Sequence, residues 1–313
     1  MRYFKAFHPG MICSGKQYAE NTVYEEDGDT ICEKGVMHFC ETPLDCLDYY
    51  PIIDEDGRVT EFAEVEPLDE VLEEKNKRAC RKLRIGAKLS LKDFINAQVG
   101  IQMEKGACDT AASGHGSQLA ASGHGSQLAA SGDWSQLAAS GHGSQLAASG
   151  NRSKLAASGN RSQLAASGDG SQLAASGDGS QLAASGDGSQ LAALGDGSKL
   201  AASGDWSNLA ALGDGSQLAA SGYGSQLAAS GNGSKLAALG DWSNLAALGA
   251  HSIAAAIGRN STASASLGSW IVLAEFNSCG EPICVKAAQI DGEKLKPNVF
   301  YKLKGGEFVE ANA

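Results

Sequence analysis

From Thr110 onward, apolar and polar positions recur every nine residues in a unit typified by SGDGSQLAA, with leucine in one phase from Leu119 to Leu245 in fifteen consecutive copies. A short fixed period predicts a solenoid, whose units bury their apolar faces only against stacked neighbours. A flexible Gly/Ser/Ala linker has a similar composition but no reason to hold leucine in phase. Ser-Gln-Leu-Ala-Ala reads as a strand, and Ser-Gly-Asp-Gly as a turn whose glycines supply positive φ. Two glycines in every nine residues, at about 1 kcal/mol each, argue against a helix. Alternation sends Ser, Leu and the second Ala inward, and Gln and the first Ala outward. So thin a core implies a narrow coil with two strands facing each other.

Substitutions set the number of units per coil. Trp134, Trp206 and Trp242 replace the second turn glycine at separations of 72 and 36 residues, multiples of 18 but not of 27. Two nonapeptides per coil follow, and eight coils at ~4.8 Å make a rod about 38 Å long. The expected fold is mainly β, a narrow β-solenoid with about 18 residues per coil. Three regions are expected: a small α+β N-terminal domain and cap at 1–105, the nonapeptide solenoid at 106–258, and a β-meander C-terminal cap at 259–313.

In the first region, β-type runs fall at Arg2 to Phe7, Gln17 to Tyr24, Val36 to Phe39 and Val59 to Val65, separated by turn-forming residues. Thr42 and Pro43 open a short helix to Tyr50. A longer helix is expected from Leu68 to Arg84, with Leu68, Leu72, Ala79 and Leu83 on its buried stripe. Another helix, from Ser90 to Ala97, is expected to lay Phe94 and Ile95 over the first coil. The last region, with SWIVLAEF, EPICVKAAQI and VFYKLKGGEFVE, reads as antiparallel strands.

Charge narrows the function classes. Residues 1–105 hold 14 Lys+Arg against 21 Asp+Glu, residues 106–258 hold 5 against 9, and residues 259–313 hold 6 against 6. With no segment basic, nucleic acid is disfavoured as a partner. No apolar run reaches the ~18 residues of a membrane span. The eight cysteines, without a recognisable signal peptide, read as reduced thiols of a cytoplasmic protein.

The repeat is a poor calcium site, since each unit offers one Asp where a hard cation takes six or more oxygens. Asp169, Asp187 and Asp205 stack in one ladder and, with Trp134, Trp206 and Trp242, form the candidate partner-binding set. As an alternative, such Asp ladders imitate a nucleic-acid backbone, as in a phage anti-defence or DNA-mimic inhibitor. The cluster Lys75, Lys77, Arg78, Arg81, Lys82, Arg84, Lys88 and Lys92 lies near Glu70, Glu73 and Glu74 and reads as a solvated, ion-paired face. Cys13, Cys32, Cys40 and Cys46 with His8 and His38 match no standard zinc spacing. His38 and Cys40 share a strand face, a weak nucleophile signal. Enzyme activity in this domain is the second alternative, and it calls for a pocket lined by His38 and carboxylates such as Glu33 or Glu41.

The run CEKGVMHFCETPLDCLDYYP, followed by FAEVE and KLRIGAKLSL, resembles an uncharacterised domain of phage, prophage and gut-bacterial proteins with a CExGFHxCExPLDxxxYYP pattern. GSWIVLAEF, VKAAQIDGEKLKPNVFYKL and GGEFVE resemble the tails of the same proteins, which enclose repeats like SGDGSQLAA. Val36-Met37 departs from the pattern before His38. The resemblance implies a phage or bacterial setting and no catalytic residues. The expectation is a non-enzymatic phage or bacterial solenoid that presents a repetitive surface to a protein partner or to itself as a homo-oligomer, without cofactor, metal or catalytic site.

Overall fold

The computed structural model describes residues 2–28, 35–52, 59–74, 77–104 and 111–311. The chain divides into two compact units, Met1–Ala107 and Cys108–Ala313. No helix among the described residues is long and apolar enough to cross a membrane.

The first unit is built on strands β1 (Tyr3–Phe7), β2 (Ile12–Cys13), β3 (Lys16–Gln17), β4 (Thr22–Glu25), β5 (Met37–Cys40), β6 (Glu61–Pro67), β7 (Leu72–Glu74), β8 (Lys77–Cys80) and β9 (Lys82–Leu89), followed by helix α1 (Leu91–Glu104). Seven of the strands form one antiparallel sheet in the order β4-β9-β6-β1-β5-β8-β7, and β2-β3 is a separate hairpin. Phe7, Phe39, Met37, Leu83 and Ile85 lie in its core.

The helix expected from Leu68 to Arg84 is absent, and the stretch forms β7, β8 and the start of β9. From Lys82 to Ile85, Leu83 and Ile85 are buried while Arg84 is exposed, the period of two that a strand imposes. The basic residues find acids across strands rather than one helical turn away. Arg84 pairs with Glu66 at 2.9 Å, Lys82 with Glu25 at 2.9 Å and Arg78 with Glu41 at 2.9 Å. Side-chain burial and cross-strand pairing thus override helix propensity. Lys75 lies outside the described residues. The expected helix after Pro43 is a 3-10 turn, Leu44–Asp48. In α1, Ser90 accepts the Asp93 N–H at 3.1 Å and donates to its carboxylate at 2.6 Å, starting the helix. Phe94 stacks on Phe62 of β6 at 3.9 Å between ring centroids, so its partner is an aromatic of its own unit.

The second unit is a β-solenoid with two strands per 18-residue coil. After β10 (Ala111–Ala112), strands of four residues follow every nine residues, from β11 (Gln118–Ala121) to β26 (Ile253–Ala256) and β27 (Thr262–Ala265). Even-numbered strands stack in one parallel sheet and odd-numbered strands in the other, like residue over like, as in Leu164 over Leu182 and Leu173 over Leu191. Leu182, Leu191, Ala184 and Ala193 are buried between the sheets. Buried Ser171 donates its hydroxyl to the Gly168 carbonyl at 2.6 Å, closing the turn before its strand. Stacking continues past residue 258, where Ser261 and Thr262–Ala265 keep the strand geometry without the leucine.

Four more strands follow: β28 (Trp270–Phe276), β29 (Pro282–Gln289), β30 (Tyr301–Lys304) and β31 (Glu307–Glu310). They form two hairpins rather than one continuous meander. β28-β29 extends the even sheet and β30-β31 the odd sheet. The reason is that the solenoid has two open sheet ends, each needing its own strand partner. Ile290, Leu295 and Tyr301 complete the core there.

Candidate functional site

The two glycines of each turn do different jobs. A methyl on the first, such as Gly186, would overlap the carbonyl of Gly168 in the neighbouring coil, so only glycine fits. The second, such as Gly188 at φ 64°, has nothing within 4 Å of its would-be Cβ and needs only the left-handed conformation. Side chains are therefore tolerated at the second position, at a cost of about 1–2 kcal/mol of backbone strain. Trp134, Trp206 and Trp242 stand there at φ 59°, 56° and 60°.

All three lie on the edge where the chain passes from the even to the odd sheet. They are 45%, 60% and 52% exposed. Trp134 carries the Arg152 guanidinium 4.8 Å from its ring centroid. The Trp206 ring lies over Gly224 of the next coil and meets Tyr223 edge-on at 5.1 Å. At ~4.8 Å per coil, Trp134 and Trp206 are four coils, about 19 Å, apart, and Trp206 and Trp242 about 10 Å.

Asp169, Asp187 and Asp205 occupy the same edge. Each carboxylate accepts the N–H of the residue eighteen positions on: Asp169 from Asp187 at 3.0 Å, Asp187 from Asp205 at 2.8 Å, and Asp205 from Tyr223 at 2.7 Å. The bond ties one coil to the next rather than closing its own turn. Asn151 does the same for Asp169 at 2.9 Å, and His142 uses Nδ1 for Asn160 at 3.0 Å on the opposite edge. This explains why Asp, Asn and His, each an acceptor, interchange in most copies of the position, with Tyr223 and Ala250 among the exceptions. One oxygen of each carboxylate is committed, leaving the other to solvent.

The even sheet's outer face is a second regular surface. Ala147, Ala165 and Ala183 form an exposed column between a Gln/Lys column and a Ser column. Two long shallow furrows follow these columns, of about 1030 and 1220 Å³. Lys199 and Lys235 are the charges lining them. Near the C-terminal end, Leu239, Ile253, Trp270, Ile283 and Val285 are exposed, giving this surface an apolar end.

In the first unit, Cys13, Cys40, Cys46 and His38 line one cavity of about 130 Å³. The described residues lining it include no carboxylate, and Glu41 pairs instead with Arg78. Cys32 and Glu33 lie outside the described residues. His8 stacks on Tyr50 at 5.1 Å. No metal-holding group of three or more His, Cys, Asp and Glu occurs among the described residues. Burial, followed by the adjoining Cys40, pushes the Cys46 thiol well above its ordinary pKa. Burial with the Asp69 carboxylate pushes Cys80 up to about 12. Sequence spacing singled out Cys13, Cys40 and Cys46 but not Lys5, which lies on β1 at 3% exposure and lines the same cavity. An isolated lysine in YFKAF looks like an outward strand position.

Residues 1–97 match the family model of a domain of unknown function, DUF7666. Comparison with curated proteins and with solved structures gives no match.

Proposed function

We propose that the protein is a non-enzymatic phage or bacterial solenoid whose repetitive surface binds a protein partner or further copies of itself. The observation that carries this reading is the placement of Trp134, Trp206 and Trp242. Three large indoles stand exposed on one edge, at backbone positions where glycine is the unstrained choice. Strain retained without a compensating burial marks a position kept for something other than folding. Tryptophan is the residue type most often found to anchor protein interfaces. The Ala columns of the even sheet suit a flat apolar partner surface, with Lys199 and Lys235 the charges along them, and the acidic ladder beside the indoles favours a partner that brings basic groups to that edge.

The test is the triple variant Trp134→Gly, Trp206→Gly, Trp242→Gly. Its circular dichroism should match that of the unsubstituted chain, because glycine fits all three backbones. Sedimentation velocity reports self-association, and affinity capture from bacterial lysate reports partners. The reading predicts that at least one association seen with the unsubstituted chain weakens tenfold or more. If the folded triple variant associates as before, or the unsubstituted chain is a monomer that captures nothing, the proposal fails.

A further inference from the structure

The cavity of the first unit assembles groups that the solenoid does not need. Its floor is Lys5, whose ammonium donates to the His38 carbonyl at 2.8 Å and lies over the Phe7 and Tyr18 rings at 5.5 and 5.6 Å. No carboxylate among the described residues pairs with it. A buried cation without an anionic side chain is costly unless something nearby carries negative charge. The neighbour able to do so is Cys13, whose sulfur accepts the Tyr50 hydroxyl at 3.0 Å and has the Ser14 hydroxyl at 3.9 Å. Burial alone would push the Cys13 thiol up, but the Lys5 ammonium and the hydrogen bonds from Tyr50, Ser14 and Lys5 outweigh it and hold the thiol below its ordinary value. Its cavity neighbour Cys46 is shifted the opposite way, so burial in this domain does not by itself activate a thiol.

The backbone around Cys13 is also unusual. Met11 and Ser14 have φ 55° and 51°, with Gly10 and Gly15 also positive. Cys13 thus opens a hairpin turn of two left-handed residues, pairing with Lys16. Strained, non-glycine left-handed residues concentrate where side chains must be aimed. Here the Met11 N–H is fixed by Glu61 at 2.8 Å and its carbonyl by the Tyr18 N–H at 2.9 Å.

We propose that Cys13 is a peroxide-reactive thiolate, activated by Lys5 and Tyr50 in a cavity sized for a molecule of a few heavy atoms. The volume of about 130 Å³ falls well below the ~300 Å³ at which drug-sized and cofactor sites begin. Hydrogen peroxide fits it, and a nucleotide does not. In the reaction the Cys13 sulfur attacks one peroxide oxygen. An S–O bond forms as the O–O bond breaks, the sulfur loses two electrons and the peroxide gains them. The departing hydroxide takes a proton from the Lys5 ammonium and leaves as water, Cys13 is left as the sulfenic acid, and Lys5 is reprotonated from solvent.

The full chain supplies its own reference, because Cys279 is exposed while Cys13 is buried. The reduced protein is treated with limiting hydrogen peroxide at neutral pH in the presence of a 1,3-dicarbonyl trap for sulfenic acids, and labelling at each cysteine is followed by peptide mass spectrometry. Cys13 is expected to label at least tenfold faster than Cys279 despite its burial. Lys5→Met is expected to slow Cys13 labelling tenfold or more, and Tyr50→Phe several-fold, with Cys279 unchanged in both. Circular dichroism checks each variant, and should Lys5→Met not fold, Tyr50→Phe carries the comparison. Labelling of Cys13 no faster than Cys279 in the unsubstituted chain overturns the proposal, as does an unchanged Cys13 rate in folded variants.

Discussion

The division of labour between the two turn glycines can be tested within one coil. In Gly186→Ala the new methyl meets the carbonyl carbon and oxygen of Gly168, so the coils must part locally. Overpacking of this kind costs about 1–3 kcal/mol. Parting also stretches the Asp187 N–H bond to Asp169 and the Gly170 N–H bond to the Asp187 carbonyl, 3.0 and 2.7 Å long, each contributing about 1 kcal/mol. The expected loss is about 3–5 kcal/mol. Gly188→Ala, two residues on, meets nothing within 4 Å and suffers only its φ of 64°, about 1–2 kcal/mol. Urea denaturation followed by far-ultraviolet circular dichroism compares both variants with the unsubstituted chain. Gly186→Ala should shift the midpoint clearly more than Gly188→Ala. Equal shifts within about 0.5 kcal/mol would refute the claim that close coil approach, rather than turn conformation, fixes the first glycine.

Two further outcomes follow from charges. Asp187 stands between Asp169 and Asp205 at ~4.8 Å, where like charges in water repel by about 0.9 kcal/mol per pair; Asp187→Asn relieves both pairs and keeps the acceptor, as Asn151 does, and should raise stability by up to about 1.7 kcal/mol at low salt, less at high salt, whereas destabilisation would show that the carboxylate itself is needed. Glu61 is opposed by burial, but the Lys88 ammonium and the Met11 and Gly10 N–H groups hold its pKa below the usual carboxylate value. A lowered folded pKa gives stability that is present above the unfolded value and lost as pH falls through the folded one. Glu61→Gln should therefore cost about 1–2 kcal/mol at neutral pH, with the gap to the parent closing below about pH 4; a gap independent of pH in thermal melts would contradict this.

The solenoid was legible because its signal is repeated: leucine phase gave the strand, and tryptophan spacing gave two units per coil. On the even sheet burial alternates as expected, with Ser162, Leu164 and Ala166 buried and Gln163 and Ala165 exposed, but along most of the odd sheet the first alanine is buried as well, as in Ala174. The turn chemistry was less legible. Gly186 and Gly188 look alike in one copy, though the first glycine is invariant from Gly114 to Gly258 while the second is replaced by Trp, Arg, His or Asn. In the first unit, Leu68 to Arg84 reads as a helix because Leu68, Leu72, Ala79 and Leu83 fall on one helical stripe, while the partners of its basic residues, Glu25, Glu41 and Glu66, lie far away in sequence. The Lys5–Cys13–Tyr50 group was hidden for the same reason, since β1, the β2-β3 hairpin and the segment after the 3-10 turn meet only in the fold.

Because like residue stacks on like over the repeat, contour length and lateral orientation are separately heritable. Losing eighteen residues between Trp134 and Trp206 would rebuild the same ladder and bring the two indoles closer by one step of ~4.8 Å. Losing nine would also preserve leucine on leucine, but every later residue would change sides: Trp206 and Trp242 would face away from Trp134, and each terminal hairpin would meet the other sheet. Near-identical tandem copies invite such changes through slippage during DNA replication. An even number of lost or gained nonapeptides would then retune the reach of the rod, and an odd number would scramble its facing.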